Sequence, residues 1–211
     1  MPKLFVIATP IGNLKDVTLR AIEVLKEVDV ILAEDTRVTK KLLAHYGIRK
    51  PVYRYIRNAL PQNLESVALL TDAGTPAISD PGSELVKFVS GKGFQIIPIP
   101  GPSALSAIIS VSDIDLDKFV FLGFPPRKKG RQKFFQQING YKAPIILFES
   151  PHRIQKTLSE LEKYCGNQYV NIGRELTKIY EEIFRGTISE AQKHFTGERQ
   201  RGEFVIVIDL K

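Results

Sequence analysis

Three glycine- and proline-rich segments are places where a backbone could close on a small ligand: Ala8-Thr9-Pro10-Ile11-Gly12-Asn13-Leu14, Thr71-Asp72-Ala73-Gly74-Thr75-Pro76-Ala77-Ile78-Ser79-Asp80-Pro81-Gly82 and Pro98-Ile99-Pro100-Gly101-Pro102-Ser103-Ala104. Each contains or follows a short apolar run. Small residues and prolines keep side-chain bulk away, so amide and carbonyl groups can approach a bound molecule. Exposed N–H groups beside a helix start can hold a carboxylate, and such loops suit a ligand that combines charges with a sugar. The residues expected to line it are Thr9, Pro10, Ile11 and Gly12, then Asp72, Ala73, Gly74, Thr75, Ile78 and Ser79, then Pro100, Gly101, Ser103 and Ala104. Any one loop alone also reads as a connecting turn, and Ser103 also reads as a helix N-cap. Three at successive strand ends are harder to ascribe to chance. No Gly-Lys-Ser/Thr phosphate loop is present and no G-x-G-x-x-G follows the first apolar run, which weakens phosphate cleavage and hydride transfer as readings.

Five carboxylates have the chemistry of a general base: Glu34, Asp35, Asp80, Glu149 and Glu175. Asp35 reads equally as a partner of Arg37 or as the cap of a helix starting near Thr36, and Glu175, beside Arg174, reads equally as an ion-pair partner. The densest basic stretch is Arg127-Lys128-Lys129-Gly130-Arg131-Gln132-Lys133. It follows Phe121-Leu122-Gly123-Phe124-Pro125-Pro126 and should be an exposed loop entering a helix. Phosphate contact is its natural use; the alternative is a solvated basic helix start, which the helix dipole disfavours. With a net charge of +7, the chain suits a polyanion partner, RNA above all. Arg37, Lys128, Lys129, Arg131 and Arg153 are the cations expected to meet it, with Lys40, Lys41, Arg54 and Arg57 adding to the surface.

A metal centre is not expected. His45, His152 and His194 stand far apart, and the single cysteine, Cys165, excludes a Cys/His zinc site. One cysteine forms no internal disulfide, which fits a reducing cytoplasm. No apolar run reaches the ~18–20 residues of a membrane helix, and the first apolar run is too short for a signal peptide.

These residues need elements to hold them. Apolar runs over 4–8, 30–33, 67–71 and 95–99 read as buried strands, with a further strand over 51–55. Helical stripes cover 18–28, 36–46, 83–90 and a stretch beginning at 103, and Gly47 should end the second of these. Alternation of strand and helix implies an α/β layer with a mainly parallel sheet. The polar run Asp113-Ile114-Asp115-Leu116-Asp117-Lys118 is the expected boundary between a domain over 1–113 and one over 118–211. Beyond it, strands over 119–124, 144–149, 169–173, 180–188 and 202–209 and helices over 130–138, 154–164 and 189–195 suggest a mixed sheet. The expected fold class is therefore α/β, with two α/β domains.

The ordered set of motifs resembles a known family. Besides the three loops, it includes Ala33-Glu34-Asp35-Thr36-Arg37, Phe121-Leu122-Gly123-Phe124-Pro125, Phe148-Glu149-Ser150-Pro151-His152-Arg153, Gly173-Arg174-Glu175-Leu176-Thr177-Lys178, Glu181-Glu182, Arg185-Gly186 and Gly202-Glu203. The chain resembles the tetrapyrrole-methylase-like (class III) methyltransferases and, within them, the bacterial 16S ribosomal RNA (cytidine-2′-O)-methyltransferase family. The resemblance implies S-adenosyl-L-methionine as cofactor, held in a cleft between two domains. It also implies 16S ribosomal RNA or the small ribosomal subunit as substrate, a homodimer, no metal for the transfer and no membrane partner. Glu34, Asp35 and Glu175 are its candidate catalytic residues. The chain departs from the family pattern over 56–66, which looks shortened and where only Asn58 matches the usual histidine-asparagine-glutamate stretch. It also stops at Lys211, without the extension many relatives carry. Two rivals share parts of the pattern: a methylase of a tetrapyrrole or other small acceptor, since fold does not fix substrate, and an RNA-binding module without catalysis.

Overall fold

The structure is a computed structural model and describes residues 1–56, 59–60, 64–80 and 82–210. Arg57, Asn58, Pro61, Gln62, Asn63, Pro81 and Lys211 lie outside the described residues, and with them the expected contribution of Arg57 and the family match at Asn58. The chain forms two compact units, Met1–Ser103 and Ala104–Lys211.

In the first unit, β1 (Lys3–Ile7), β2 (Val30–Ala33), β3 (Val52–Arg54), β4 (Ser66–Leu70) and β5 (Gln95–Ile99) form one sheet in the order β3-β2-β4-β1-β5. All its pairs are parallel. The strands are apolar runs rather than alternating ones because helices cover both faces. On one face Ile7, Ile31, Ala68, Leu70 and Ile99 pack with Leu25 of α1 (Leu19–Glu27) and with Leu42 and Leu43 of α2 (Thr36–His45). On the other, Leu4, Val30, Leu32, Val67 and Leu69 pack with Leu85 and Val89 of α3 (Gly82–Ser90). The period-2 geometry of a strand thus sends Val67 and Leu69 one way and Ala68 and Leu70 the other. Thr18 caps α1 by accepting from the Ala21 N–H at 3.1 Å. Helix α2 stops at Gly47, whose φ of 64° lets the Ile48 and Gly47 N–H groups return to the Leu43 and Ala44 carbonyls at 2.8 and 3.2 Å.

The second unit contains α4 (Ala104–Val111), β6 (Val120–Gly123), α5 (Arg131–Ile138), β7 (Ile145–Glu149), α6 (Ile154–Cys165), β8 (Tyr169–Arg174), β9 (Glu182–Thr187), α7 (Ile188–His194) and β10 (Phe204–Ile208). Its sheet has the order β6-β7-β10-β8-β9. It is mixed: β6 and β7 are parallel, while β10 runs against both β7 and β8. Phe135, Leu147, Leu158, Ile172, Phe195 and Ile206 centre its core. Helix α4 belongs to this unit, so the division falls at Ser103/Ala104 and not at the polar run 113–118. The reason is packing that spacing does not reveal. Ile108 of α4 occupies the space left by Gly173, where a Cβ would sit 3.0 Å from its Cδ1. Ser112 Oγ and the Asp113 N–H then bond the buried Asn171 Oδ1 at 2.8 and 3.0 Å. Among the described residues no helix is long and apolar enough to cross a membrane.

A buried polar network ties the β6 and β7 loops to α5 and α6, and it corrects three expectations. Arg131, 4% exposed, donates to Glu160 (2.7 Å), Thr157 Oγ1 (2.7 Å) and the Pro126 carbonyl (3.0 Å). Thr157 in turn donates to Glu149, which is 1% exposed and also pairs with Arg153 at 2.7 Å. Arg153 reaches the Pro125 carbonyl at 2.8 Å and Ser150 Oγ at 3.2 Å. Arg131 and Arg153 are therefore internal braces rather than phosphate ligands, with Glu160 and Glu149 as their respective counter-charges, and Glu149 is engaged there rather than free as a base. Removing one partner of a buried ion pair strands the other charge, so Arg131→Ala should lower the unfolding free energy by about 3–5 kcal/mol in urea titration. Lys128→Ala, at the exposed surface, should change it by less than about 0.5 kcal/mol. Equal midpoints for the two variants would remove the network from the stability of this unit.

Candidate active site

The sheet order β4-β1-β5 makes three strands adjacent and parallel, so their following loops leave from one edge. Hydrogen bonds then stitch these loops together. The Thr9 N–H donates to the Gly74 carbonyl at 2.9 Å and the Gly74 N–H returns to the Thr9 carbonyl at 3.0 Å. Thr9 Oγ1 donates to the Thr71 carbonyl at 3.2 Å. The Ala8 N–H reaches the Ile99 carbonyl at 3.1 Å, and Thr75 Oγ1 reaches the Pro102 carbonyl at 3.2 Å. Two glycines permit the closeness. At Gly101 a Cβ would lie 3.2 Å from the Ala8 Cβ, and Gly74 has a φ of 80° with Ile11 Cγ2 at 3.4 Å from any Cβ.

The expected ligand-lining residues divide by depth. Thr9, Pro10 and Gly74 are buried within the stitching, Ile11, Thr75, Ile78, Ser103 and Ala104 are half-buried, and Gly12, Asp72, Ala73, Ser79, Pro100 and Gly101 are exposed. Ala104 opens α4 of the second unit. Ala77 and Ser79 hold φ values of 73° and 65°, a left-handed backbone that costs an L residue on the order of 1–3 kcal/mol. Asp80 restrains this turn, its Oδ1 accepting from the Ala77 and Gly82 N–H groups at 2.7 and 2.8 Å, so its carboxylate is a turn clamp. Thr71, which the residue pattern places only at the loop's start, contributes something further. Its Oγ1 is buried without a hydrogen-bond partner among the described residues, which costs ~1–3 kcal/mol unless a ligand or water meets it.

The carboxylates sort by surroundings. Glu34 follows β2 and is half-buried. Burial, then the negative charge of Asp72, with Asp80 and Asp35 adding, hold its carboxyl above the ordinary glutamate range, and the Asp72 N–H only partly offsets this. Asp35 caps α2 by accepting from the Arg37 N–H at 2.8 Å and pairs with the Arg37 guanidinium at 2.6 Å. Those bonds hold the Asp35 carboxyl down to about 2, which makes it a poor proton acceptor and ties Arg37 at one side. The Asp35 N–H also donates to Asp72 Oδ1 at 2.9 Å, joining the ends of β2 and β4. Glu175, in the second unit, accepts from Lys178 Nζ at 2.8 Å and from the Glu203 N–H at 2.9 Å. Burial opposes its ionisation, but Lys178, the Glu203 N–H and the charges of Lys178 and Arg174 outweigh it and hold the carboxyl below the ordinary range. Glu175 is an ion-pair partner, and Gly202 is required opposite it because a Cβ there would fall 2.3 Å from the Glu175 Cγ.

Among the expected RNA cations, Lys128 and Lys129 are exposed together with Arg127 in the loop before α5. Gly130 caps that helix at a φ of 82°, with no side-chain cap hydrogen bond. Among the described residues no group of three or more His, Cys, Asp and Glu side chains is arranged to hold a metal.

Comparison with known proteins fits this geometry. The sequence pattern of the tetrapyrrole (corrin/porphyrin) methylases matches residues 3–192. A protein of Thermotoga maritima named ribosomal RNA small subunit methyltransferase I is 42% identical over 221 residues, with 100% of both chains covered. The Bacillus subtilis protein of that name is 41% identical over 217 residues, covering 98% of this chain and 74% of its own length. Among solved structures, a cobalt precorrin-4 methyltransferase of cobalamin biosynthesis superposes with a TM-score of 0.68 at 18% identity, over 97% of this chain and 94% of its own. A diphthine synthase superposes with a TM-score of 0.73 at 16% identity, over 99% of this chain and 90% of its own. At such identities the structures establish the shared fold alone, while the sequence matches reach further: the chain belongs to the tetrapyrrole (corrin/porphyrin) methylase family, among the S-adenosylmethionine-dependent methyltransferases.

Proposed function

We propose that the chain methylates the ribose 2′-hydroxyl of a cytidine in the decoding region of 16S ribosomal RNA, working as a homodimer with S-adenosyl-L-methionine as donor. One observation carries the acceptor: the relatives named for the small-subunit ribosomal RNA match this chain over essentially its whole length, at 42% identity for the Thermotoga maritima protein. The three stitched loops support the cofactor. Their residues fit it, because Gly74 and Gly101 keep side chains off the strand edge and Thr71 offers an unused buried hydroxyl.

When bound, S-adenosylmethionine supplies a methyl group already activated on a sulfonium, so the protein's work is chiefly alignment, worth ~7–11 kcal/mol in favourable cases. Glu34 is the proposed general base. As the ribose oxygen gains the methyl group, its O–H proton passes to the Glu34 carboxylate. The burial and neighbouring charge that raise the Glu34 carboxyl make it a better acceptor than Asp35, which Arg37 keeps ionised. Lys128 and Lys129 meet phosphates and orient the strand, and Arg37 adds to them where Asp35 leaves it accessible.

The function is tested by incubating the protein with labelled S-adenosylmethionine and undermodified small-subunit particles, then mapping the label by mass spectrometry. A methylated cytidine ribose is expected; label on a base, or on no RNA at all, would overturn the assignment. Thr71→Val tests the cofactor loops with a sign that stability alone cannot mimic. Losing a buried unsatisfied hydroxyl should leave the melting temperature equal or higher, while calorimetric affinity for S-adenosylmethionine falls by roughly 5- to 10-fold. Glu34→Gln should lower kcat by about 10²- to 10⁴-fold with cofactor affinity retained. The base form is the active one, so wild-type kcat should decline as pH falls through the raised Glu34 pKa, at a higher pH than an ordinary glutamate would give. That limb should vanish in Glu34→Gln, and its persistence would point to another base.

A further inference from the structure

We propose that the edge of the second sheet where β6, β7 and β8 end is a stacking platform for single-stranded RNA, with Tyr180, Ile179 and Phe124 as its base-contacting side chains. The platform presupposes the RNA acceptor proposed above and assigns it residues outside the expected cation set.

Topology builds this edge. β6 and β7 are parallel, and β10 is antiparallel to both β7 and β8, so β6, β7 and β8 point the same way. The loops 124–130, 150–153 and 175–181 therefore leave side by side. Register keeps them level: Phe204 of β10 stands opposite Glu149 on one side and Arg174 on the other, and Arg174 stands opposite Glu182. With strands about 4.8 Å apart, the β6 and β8 loops lie roughly 14 Å apart, wide enough for a short single-stranded segment.

This edge shows large apolar side chains to solvent. Ile179 is 94% exposed, Tyr180 72% and Phe124 49%. They are not on a slack tip. Lys178 bridges Glu175 and Glu203 at 2.8 and 2.9 Å, the Glu175 N–H bonds the Glu203 carbonyl at 2.9 Å, and Arg174 holds the Tyr180 carbonyl at 3.3 Å. Glu175 and Thr177 sit at φ values of 50° and 67°, so the turn that presents Ile179 and Tyr180 is held in a costly backbone state. Phe124 is braced against the Phe148 ring, with centroids 5.6 Å apart. A held backbone thus displays these apolar side chains together on one edge, and the charge beside them points to the occupant. The same edge carries exposed Arg127, Lys128 and Lys129 from the β6 loop, while Arg201 just before β10 pairs with Glu198 at 2.8 Å. A single strand of RNA satisfies both features, stacking its bases on the rings and placing its phosphates on the cations.

The test is equilibrium binding of a labelled single-stranded oligoribonucleotide, and of undermodified small-subunit particles, over a range of salt. Tyr180→Ala should weaken binding on the order of tenfold, and Tyr180→Phe should restore it. The slope of log affinity against log salt should not change, because Tyr180 carries no charge. By contrast the Lys128→Ala, Lys129→Ala pair should reduce that slope by about 1.4 on the single strand. Cofactor affinity and melting temperature should stay at wild-type values for the Tyr180 variants. Wild-type RNA affinity in an Ile179→Ala, Tyr180→Ala double variant would overturn the platform while leaving the RNA reading intact. So would conversion of a dimer to monomers with RNA affinity unchanged, which would make the edge a contact between copies. Failure of the wild-type protein to bind either RNA would instead sink the acceptor assignment itself, and the platform with it.

Discussion

The reciprocal pair of amide bonds between Thr9 and Gly74 is the constraint on which the site depends. Strand order makes the ends of β1 and β4 neighbours, but it does not close the gap between their loops. Two bonds of 2.9 and 3.0 Å do so, and Gly74 takes part at a φ of 80°, a conformation a side chain would strain. Once these backbones are joined, Thr75 can reach the Pro102 carbonyl and Gly101 can lie against Ala8. The turn beyond them, with Ala77 and Ser79 in left-handed conformations, is clamped by Asp80. The buried Thr71 hydroxyl lies at the root of this assembly.

Electrostatics divides similar residues into different roles. Glu34 and Asp35 are consecutive in sequence, yet one carboxyl is raised by burial and the Asp72 charge and the other is lowered by Arg37. The same sorting occurs among the cations. Arg131 and Arg153 are engaged by Glu160, Glu149 and backbone carbonyls, whereas Lys128 and Lys129, only a few residues before Arg131, remain at the surface. The internal pairs hold the β6 and β7 loops in place, and that leaves the exposed lysines on a defined frame.

The loop after β8 follows the same economy of means. Glu175, Lys178 and Glu203 form a charged knot at its base, made possible by the missing side chain at Gly202. The knot fixes a turn whose tip is apolar. At that tip Ile179 and Tyr180 stand 94% and 72% exposed, which is why the proposed RNA contact is placed there.

The sequence by itself determined the elements and their class. The runs at 30–33 and 95–99 coincide with β2 and β5, and Gly47 ends α2 as its type and position required, because burial on both faces and backbone geometry are local demands that residue type records. It also marked the three loops, whose compositions are unusual enough to read without coordinates. Tertiary structure decided what each polar residue does. Arg131 and Lys128 are both cations of one basic stretch, and only the arrival of Thr157 and Glu160 from a helix remote in sequence internalises one of them. Likewise α4 joined the second unit because Gly173, far along the chain, leaves room for Ile108. Contacts between residues remote in sequence leave no periodic trace in either partner, so the Arg131–Glu160 pair, the raised carboxyl of Glu34 and the shared edge of β6, β7 and β8 emerged only from the packed chain.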